Sequence, residues 1–364
     1  MIRALLDGGS ERRLEDAIRA NPDVEAIVYC GEGPGERMQA RLDGICEIRR
    51  APGLVREVSP RADAALARWL RRELAAVGPD LVHSHQSKAG ILARVAAPRG
   101  VPIVHSYSMA NFGPGFARVP SLTFQGLEWA TQRRVSMFVV PGAELATRLR
   151  SVGVPEDRVQ VVRSSIDTDR FERVGPARPA ESGPVRVLYV GSIDERKGVL
   201  DLPGVLARVA ELSGRPLALS VAGTGELEGQ LDAALRAARV PGLTWELLGF
   251  RTDVPELMAA SHVLVLPSSA EGLPQVLVQA AAVRLPFVSY AVDGVDELIG
   301  MGATGRKVDL GDVRAMGDAV AGVVAGVVAG GSTTHTGVDF SSWDQAKVLW
   351  AYRELYQRLL HPMD

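Results

Sequence analysis

The chain has 364 residues, a formal net charge of −2, 46% hydrophobic residues and 23% charged residues. That length is too great for one ordinary hydrophobic core, so two domains are expected, and the composition is that of a globular protein. The near-neutral charge removes any case for nucleic-acid binding by bulk electrostatics.

The charge is unevenly spread. Residues 1–175 carry 25 Lys and Arg against 21 Asp and Glu, a net +4, and residues 176–364 carry 16 against 22, a net −6. Two readings stand side by side: ordinary surface scatter, and a first half that meets an anionic acceptor or a membrane surface. Cys30 and Cys46 have neither metal nor redox spacing. No run of 18 apolar residues occurs, and the first ten residues lack the apolar stretch of a signal peptide, so a cytoplasmic protein is expected. The Arg- and Ala-rich composition suggests a bacterial source.

In chain order, residues 2–6 read as a strand ending at Gly8-Gly9, 11–20 as a helix and 25–29 as a strand. Residues 62–76 place Leu66, Trp69, Leu70 and Leu74 at helical spacing. Strand 80–84, helix 88–97 and strands 103–106, 138–140 and 159–162 follow. Residues 175–184, rich in Pro and Gly, read as a linker between domains 1–174 and 185–340. Strands at 185–190, 217–222, 243–247, 263–266 and 287–290 then alternate with helices at 226–238, 254–260 and 274–282. This alternation predicts parallel α/β sheets covered on both faces. Residues 317–337 read as a weak helix and then a loop. A terminal helix over 343–360, with Trp350, Leu355 and Leu359 among its apolar positions, is expected to return toward the first domain.

Two stretches carry chemistry. In LVLPSSAEGLPQVLVQAA a strand runs into a polar loop holding Glu271 and then a helix beginning near Pro274. The N-terminus of such a helix offers free N–H groups to an anion, and Glu271 stands at its entrance or caps it. In VLYVGSIDERKG a strand ends at Gly191 and presents Arg196 and Lys197. These two cations either hold a diphosphate or form a solvated basic turn. His83, His85 and His105 lie near two strand ends without an evident carboxylate partner, so no metal site is expected.

Taken in order, DGGSERRLEDAI, LVHSHQSKAGILARVAA, VVRSSIDTDRF, VGSIDERKG, AGTGELE, LGFRTDVPELMAASHVLVLPSSAEGLPQVLVQAA and DGVDELI resemble the family 4 glycosyltransferases. Those are retaining enzymes of the GT-B fold, with two facing Rossmann-like domains and a central cleft. HSHQSKAGILARVAA is most similar to the branch that builds surface polysaccharides.

The resemblance implies that Lys197 contacts the donor diphosphate. Ser192 stands where the family has an arginine, and Arg196 is the neighbouring cation able to replace it. Glu271 is implied to contact hydroxyls of the transferred sugar. The second acid of the family pair, which bonds the ribose, is Gln279 here; an amide keeps one acceptor and gains donors. Gly272, Leu273, Pro274, Gln275 and Val276 are implied to approach the sugar and phosphates. Phe250 and Arg251 are implied to pack and read the base, with Gly223 near the same pocket. Gly8 and Gly9 allow close backbone approach to phosphate or acceptor. Ser108 falls where the family has a sugar-contacting histidine, a role that His85 or His105 could take over.

The implied reaction needs neither metal nor cofactor. The implied partners are a nucleotide-sugar donor, with UDP-sugars favoured, and as acceptor a lipid-linked glycan or a small-molecule scaffold, with peripheral contact at the inner membrane face. The alternatives are a phosphorylase or epimerase on the same fold, and a pseudo-glycosyltransferase marked by Ser108, Ser192 and Gln279.

Overall fold

A computed structural model describes the chain except for residues 4, 6–7, 33–34, 56, 110–117, 176–182, 329–336 and 362–364. The chain divides into two compact units, Met1–Ile166 with Ser341–Asp364, and Asp167–Phe340. Most of the expected linker lies outside the described residues, as does the loop expected after residue 328.

The first unit contains β1 (Ile27–Cys30), β2 (Glu47–Arg50), β3 (Val82–His85), β4 (Ile103–Ser106), β5 (Met137–Val140) and β6 (Val159–Val161), paired in parallel as β1-β2 and β3-β4-β5-β6. The strand expected at 2–6 is reduced to a bridge between Ile2 and Cys30, with residues 4 and 6 outside the described part. Residues 1–3 still join the two sheets. Ile2 N donates to Tyr29 O at 2.9 Å, and His85 N donates to Met1 O at 2.8 Å. β4 and β5 are buried at every position, as strands covered on both faces are, whereas the polar edge strand β2 is at most half-buried.

The helix Pro60–Val77 turns Leu66, Leu70 and Leu74 inward, spaced by four as one helical face requires. The helix Gln345–Leu360 starts at Asp344, whose carboxylate accepts from Lys347 N, and packs Val348, Tyr352, Leu355 and Tyr356 against Ala17, Val104 and Val139. It therefore completes the first unit's core. Trp350 is 64% exposed, because it lies on the opposite face from Tyr352 and Leu355.

The second unit is one six-stranded parallel sheet of β7 (Val185–Val190), β8 (Leu217–Ala222), β9 (Leu243–Gly249), β10 (Val263–Leu266), β11 (Phe287–Tyr290) and β12 (Gly305–Val308), ordered β12-β11-β10-β7-β8-β9. This is a doubly wound order. It reverses direction between β7 and β10, the position at which such sheets bind ligands beyond their carboxyl ends. The helices Leu202–Ser213 and Val313–Val328 cover one face through Val205, Val209, Met316 and Val320.

Candidate active site

β7 and β10 lie side by side, with Val187 opposite Val263. The loops that leave their carboxyl ends meet directly. In the first, Ser192 Oγ donates to Asp194 Oδ2 at 2.6 Å, and Asp194 Oδ1 accepts from Lys197 N at 3.0 Å, which caps the short turn Glu195–Lys197. That turn lies against the exit of β10. A Cβ on Gly198, at φ +62°, would stand 2.0 Å from the Pro267 carbonyl oxygen, so only glycine fits. Gly223 is under the same constraint: its Cβ would lie 1.8 Å from Gly191 O.

This close approach brings three charges together. Lys197 Nζ donates to Glu271 Oε1 at 2.6 Å, and Arg196 Nη1 reaches the same oxygen at 3.2 Å. Arg196 Nη1 also donates to Ala270 O at 3.0 Å, while Arg196 O accepts from Ser269 N at 2.8 Å and from Ser269 Oγ at 2.9 Å. The side chains of Lys197 and Glu271 are 14% and 13% exposed. Burial alone would raise the Glu271 pKa; Lys197 and Arg196 more than offset it and hold the carboxyl below its ordinary range. Glu271 is thus a charged acceptor at neutral pH.

The helix Gln275–Ala282 follows, with Pro274 at its N-cap and no side-chain cap. Its first intrahelical bond runs from Leu277 N to Pro274 O, so the amides of Gln275 and Val276 precede the ladder. Gly272, Leu273 and Val276 are buried, whereas Gln275 and Gln279, one turn apart, are half-buried on a single stripe. Phe250 is 41% exposed after β9. Arg251 is held by Asp253, through Nε to Oδ1 at 2.7 Å and Nη2 to Oδ2 at 2.5 Å.

In the first unit, exposed Gly8 is the N-cap of the helix Gly9–Arg19. Ser10 Oγ donates to Glu11 Oε2 at 2.8 Å, and Gln86 Nε2 donates to Ser10 Oγ at 3.1 Å and to Glu11 Oε1 at 3.3 Å. Ser108 accepts from Arg13 Nη2 at 2.7 Å, and Arg13 is 1% exposed. A buried cation therefore stands beside the hydroxyl at the position expected to hold a histidine. His85 and His105 are each 0% exposed, and burial holds both pKa values well below the ordinary value. His85 stacks on His83 at 4.3 Å, and His105 Nδ1 lies 2.9 Å from Ser84 Oγ. They are uncharged core rings, so neither presents a cation at the surface. Among the described residues, no group of three or more His, Cys, Asp or Glu could hold a metal ion.

Sequence reasoning missed Arg13, Asp194 and Ser269. Arg13 lies 95 residues from its partner Ser108, and nothing local in the helix Gly9–Arg19 marks that contact. Asp194 carried a local signal, an acid three residues before Lys197 where a turn cap belongs.

Known proteins match this chain over nearly its whole length. The family model for Glycosyltransferase Family 4 matches residues 7–170, and that for Glycosyl transferases group 1 matches residues 184–325. The UDP-Gal:alpha-D-GlcNAc-diphosphoundecaprenol alpha-1,3-galactosyltransferase of Escherichia coli is 26% identical over 325 residues, 86% of this chain and 83% of that protein. The 2-deoxystreptamine glucosyltransferase of Streptomyces kanamyceticus is 27% identical over 300 residues, 75% of this chain and 73% of its own. The crystal structure of Anabaena HepE in complex with UDP-glucose has a TM-score of 0.73 at 17% identity, covering 98% of each chain. The two units are the Rossmann-like domains of a GT-B glycosyltransferase. The chain belongs to the family 4 glycosyltransferases, and glycosyl transfer is its activity.

Proposed function

We propose that this enzyme moves a sugar from a UDP-sugar to an acceptor hydroxyl with retention of anomeric configuration and without a metal. The observation that carries this reading is the cluster of Lys197, Arg196 and Glu271 beside a helix N-terminus at the switch point of the second sheet. Glu271, charged and largely buried, accepts hydrogen bonds from hydroxyls of the transferred sugar. Lys197 and the amides of Gln275 and Val276 face the diphosphate and stabilise the charge that builds as it departs. Gln279, one turn beyond Gln275, hydrogen-bonds the ribose, and Phe250 packs on the base.

The bond from the anomeric carbon to the phosphate oxygen breaks, and a bond to the acceptor oxygen forms on the same face. The acceptor's proton passes to the departing phosphate oxygen, so no protein base is needed. Catalysis is then mainly positioning and electrostatic stabilisation. The E. coli relative, named for UDP-Gal and a lipid diphosphate, supports a UDP-sugar donor and a lipid-linked glycan as acceptor. The +4 charge of residues 1–175 agrees with that acceptor and with peripheral contact at the inner membrane face. No described helix is long and apolar enough to cross a membrane. The 2-deoxystreptamine glucosyltransferase favours a second reading, a small-molecule acceptor.

Isothermal titration with UDP, GDP, ADP and TDP, first without metal and then with magnesium, tests the donor. UDP is expected to bind in both conditions. Binding of none of the four would overturn this reading in favour of a pseudo-glycosyltransferase, and binding that needs magnesium would overturn the metal-free mechanism.

A further inference from the structure

Resting on that reading of the donor site, we infer that Arg196 is a positioning residue: it is the counter-ion that stays with Glu271 while Lys197 turns to the donor diphosphate. The two cations share Glu271 Oε1 but are held differently. Lys197 reaches it through a flexible stem with a single point contact at 2.6 Å. Arg196 is tied to the loop of Glu271 at three consecutive residues. Its guanidinium bonds Ala270 O and Glu271, and its own carbonyl takes both the N–H and the hydroxyl of Ser269. Lys197 can swing to a phosphate by giving up Glu271 alone, whereas the Arg196 guanidinium can leave only by also releasing Ala270 O, and its backbone is pinned to Ser269.

The handover also poses an electrostatic problem. Glu271 is 13% exposed, and a buried carboxylate stripped of its partner is strongly destabilising. If both cations moved to the diphosphate, the carboxylate that must accept sugar hydroxyls would be left uncompensated. With Arg196 in place it keeps a counter-charge and a fixed direction. Ser192, at the other end of the turn, cannot supply one, because it is a hydroxyl already donating to Asp194.

The test uses the Lys197→Ala protein as a mimic of the donor-engaged state. Its melting temperature is followed from about pH 5 to about pH 8, with and without Arg196→Gln. With Arg196 present, Glu271 stays ionised and adds nothing to the slope that buried, uncharged His83, His85 and His105 impose at the acid end. Without it, the carboxyl binds a proton more tightly in the folded than in the unfolded chain, so the double variant loses stability relative to the single one as pH rises through that window. Arg196→Lys in the same background restores part of that difference. If the double variant does not fold, adding Glu271→Gln should rescue it. Parallel curves, or no rescue by Glu271→Gln, would overturn the inference.

The second arm uses the enzyme carrying Arg196→Gln alone. Its UDP affinity is expected within about threefold of the parent, while kcat falls by about tenfold or more and the acid limb of the kcat profile moves to higher pH. A loss of UDP affinity of about tenfold would make Arg196 a diphosphate ligand and sink the proposal. Failure of the parent to bind UDP would count against the donor reading alone, and the melting curves would still decide the pairing of Arg196 with Glu271.

Discussion

Replacing Gly198 by alanine probes the close approach of the two loops that builds the site. The new Cβ would lie 2.0 Å from the Pro267 carbonyl oxygen, well inside contact distance, on a residue whose φ is +62°. The left-handed conformation costs an L-residue about 1–2 kcal/mol, and overpacking a close-fitted spot adds about 1–3 kcal/mol. A loss near 3 kcal/mol is therefore expected, or about 6–12 °C in the melting of a unit this size. Differential scanning calorimetry of the purified protein gives the answer, with the second unit's transition as the readout. Gly229→Ala is the control: no heavy atom lies within 4 Å of its added Cβ, so it should be neutral or stabilising by up to about 1 kcal/mol. A Gly198→Ala protein melting within about 1 °C of the parent would refute the argument that backbone contact at Pro267 fixes this glycine.

Three other expectations follow from the same geometry. Lys197→Ala should lower kcat/KM for transfer by about 100-fold to 1,000-fold, as loss of one charge-stabilising donor does, and a UDP-release assay within about threefold of the parent would remove Lys197 from the mechanism. Gln279→Glu should tighten donor binding by about 1 kcal/mol through a charged acceptor; a titration showing a clear loss would mean that this position serves another group. His85 is held uncharged by burial, whereas the unfolded chain takes up a proton there near pH 6.5. Its contribution is therefore complete above that pH and is lost as pH falls below it. Compared with His85→Asn, the parent should lose up to about 1.4 kcal/mol more per pH unit on acidification, and identical slopes in pH-dependent melts would contradict this.

The legible parts of the fold were its doubly covered strands. Residues 185–190, 217–222, 263–266 and 287–290 are near-continuous apolar runs, and the observed bounds of β7, β8, β10 and β11 match them. Several of the elements passed over face water. β2, Glu-Ile-Arg-Arg, and β12, Gly-Arg-Lys-Val, are edge strands with polar sequences, and the helix Glu36–Leu42 buries only Met38 and Leu42. The helix Leu202–Ser213 opens with Pro203 and Gly204, residues that read as a turn until packing shows Pro203 in the first helical turn. Glu271, Lys197 and Gln279 were singled out because each lies in a short local stretch that resembles the family's motifs. The direction of the Arg196 side chain, toward Ala270 rather than outward, depends on contact between segments some 74 residues apart. No local pattern encodes that, and the same holds for Arg13 reaching Ser108.

The helix Gln345–Leu360 belongs to the core of the first unit, yet it leaves the ribosome after the whole of the second. The second unit, by contrast, is a single uninterrupted stretch, Asp167–Phe340. It can close its sheet while the first unit still lacks the helix whose Tyr356 hydroxyl meets His83 Nδ1 at 2.8 Å. During synthesis the chain thus matures from the middle outward. The sheet of the first unit waits for the helix Gln345–Leu360, with Val104 and Val139 uncovered in the interval. A nascent chain stalled before residue 345 would carry a finished second unit and an open first one, which marks the first unit as the natural client of a chaperone.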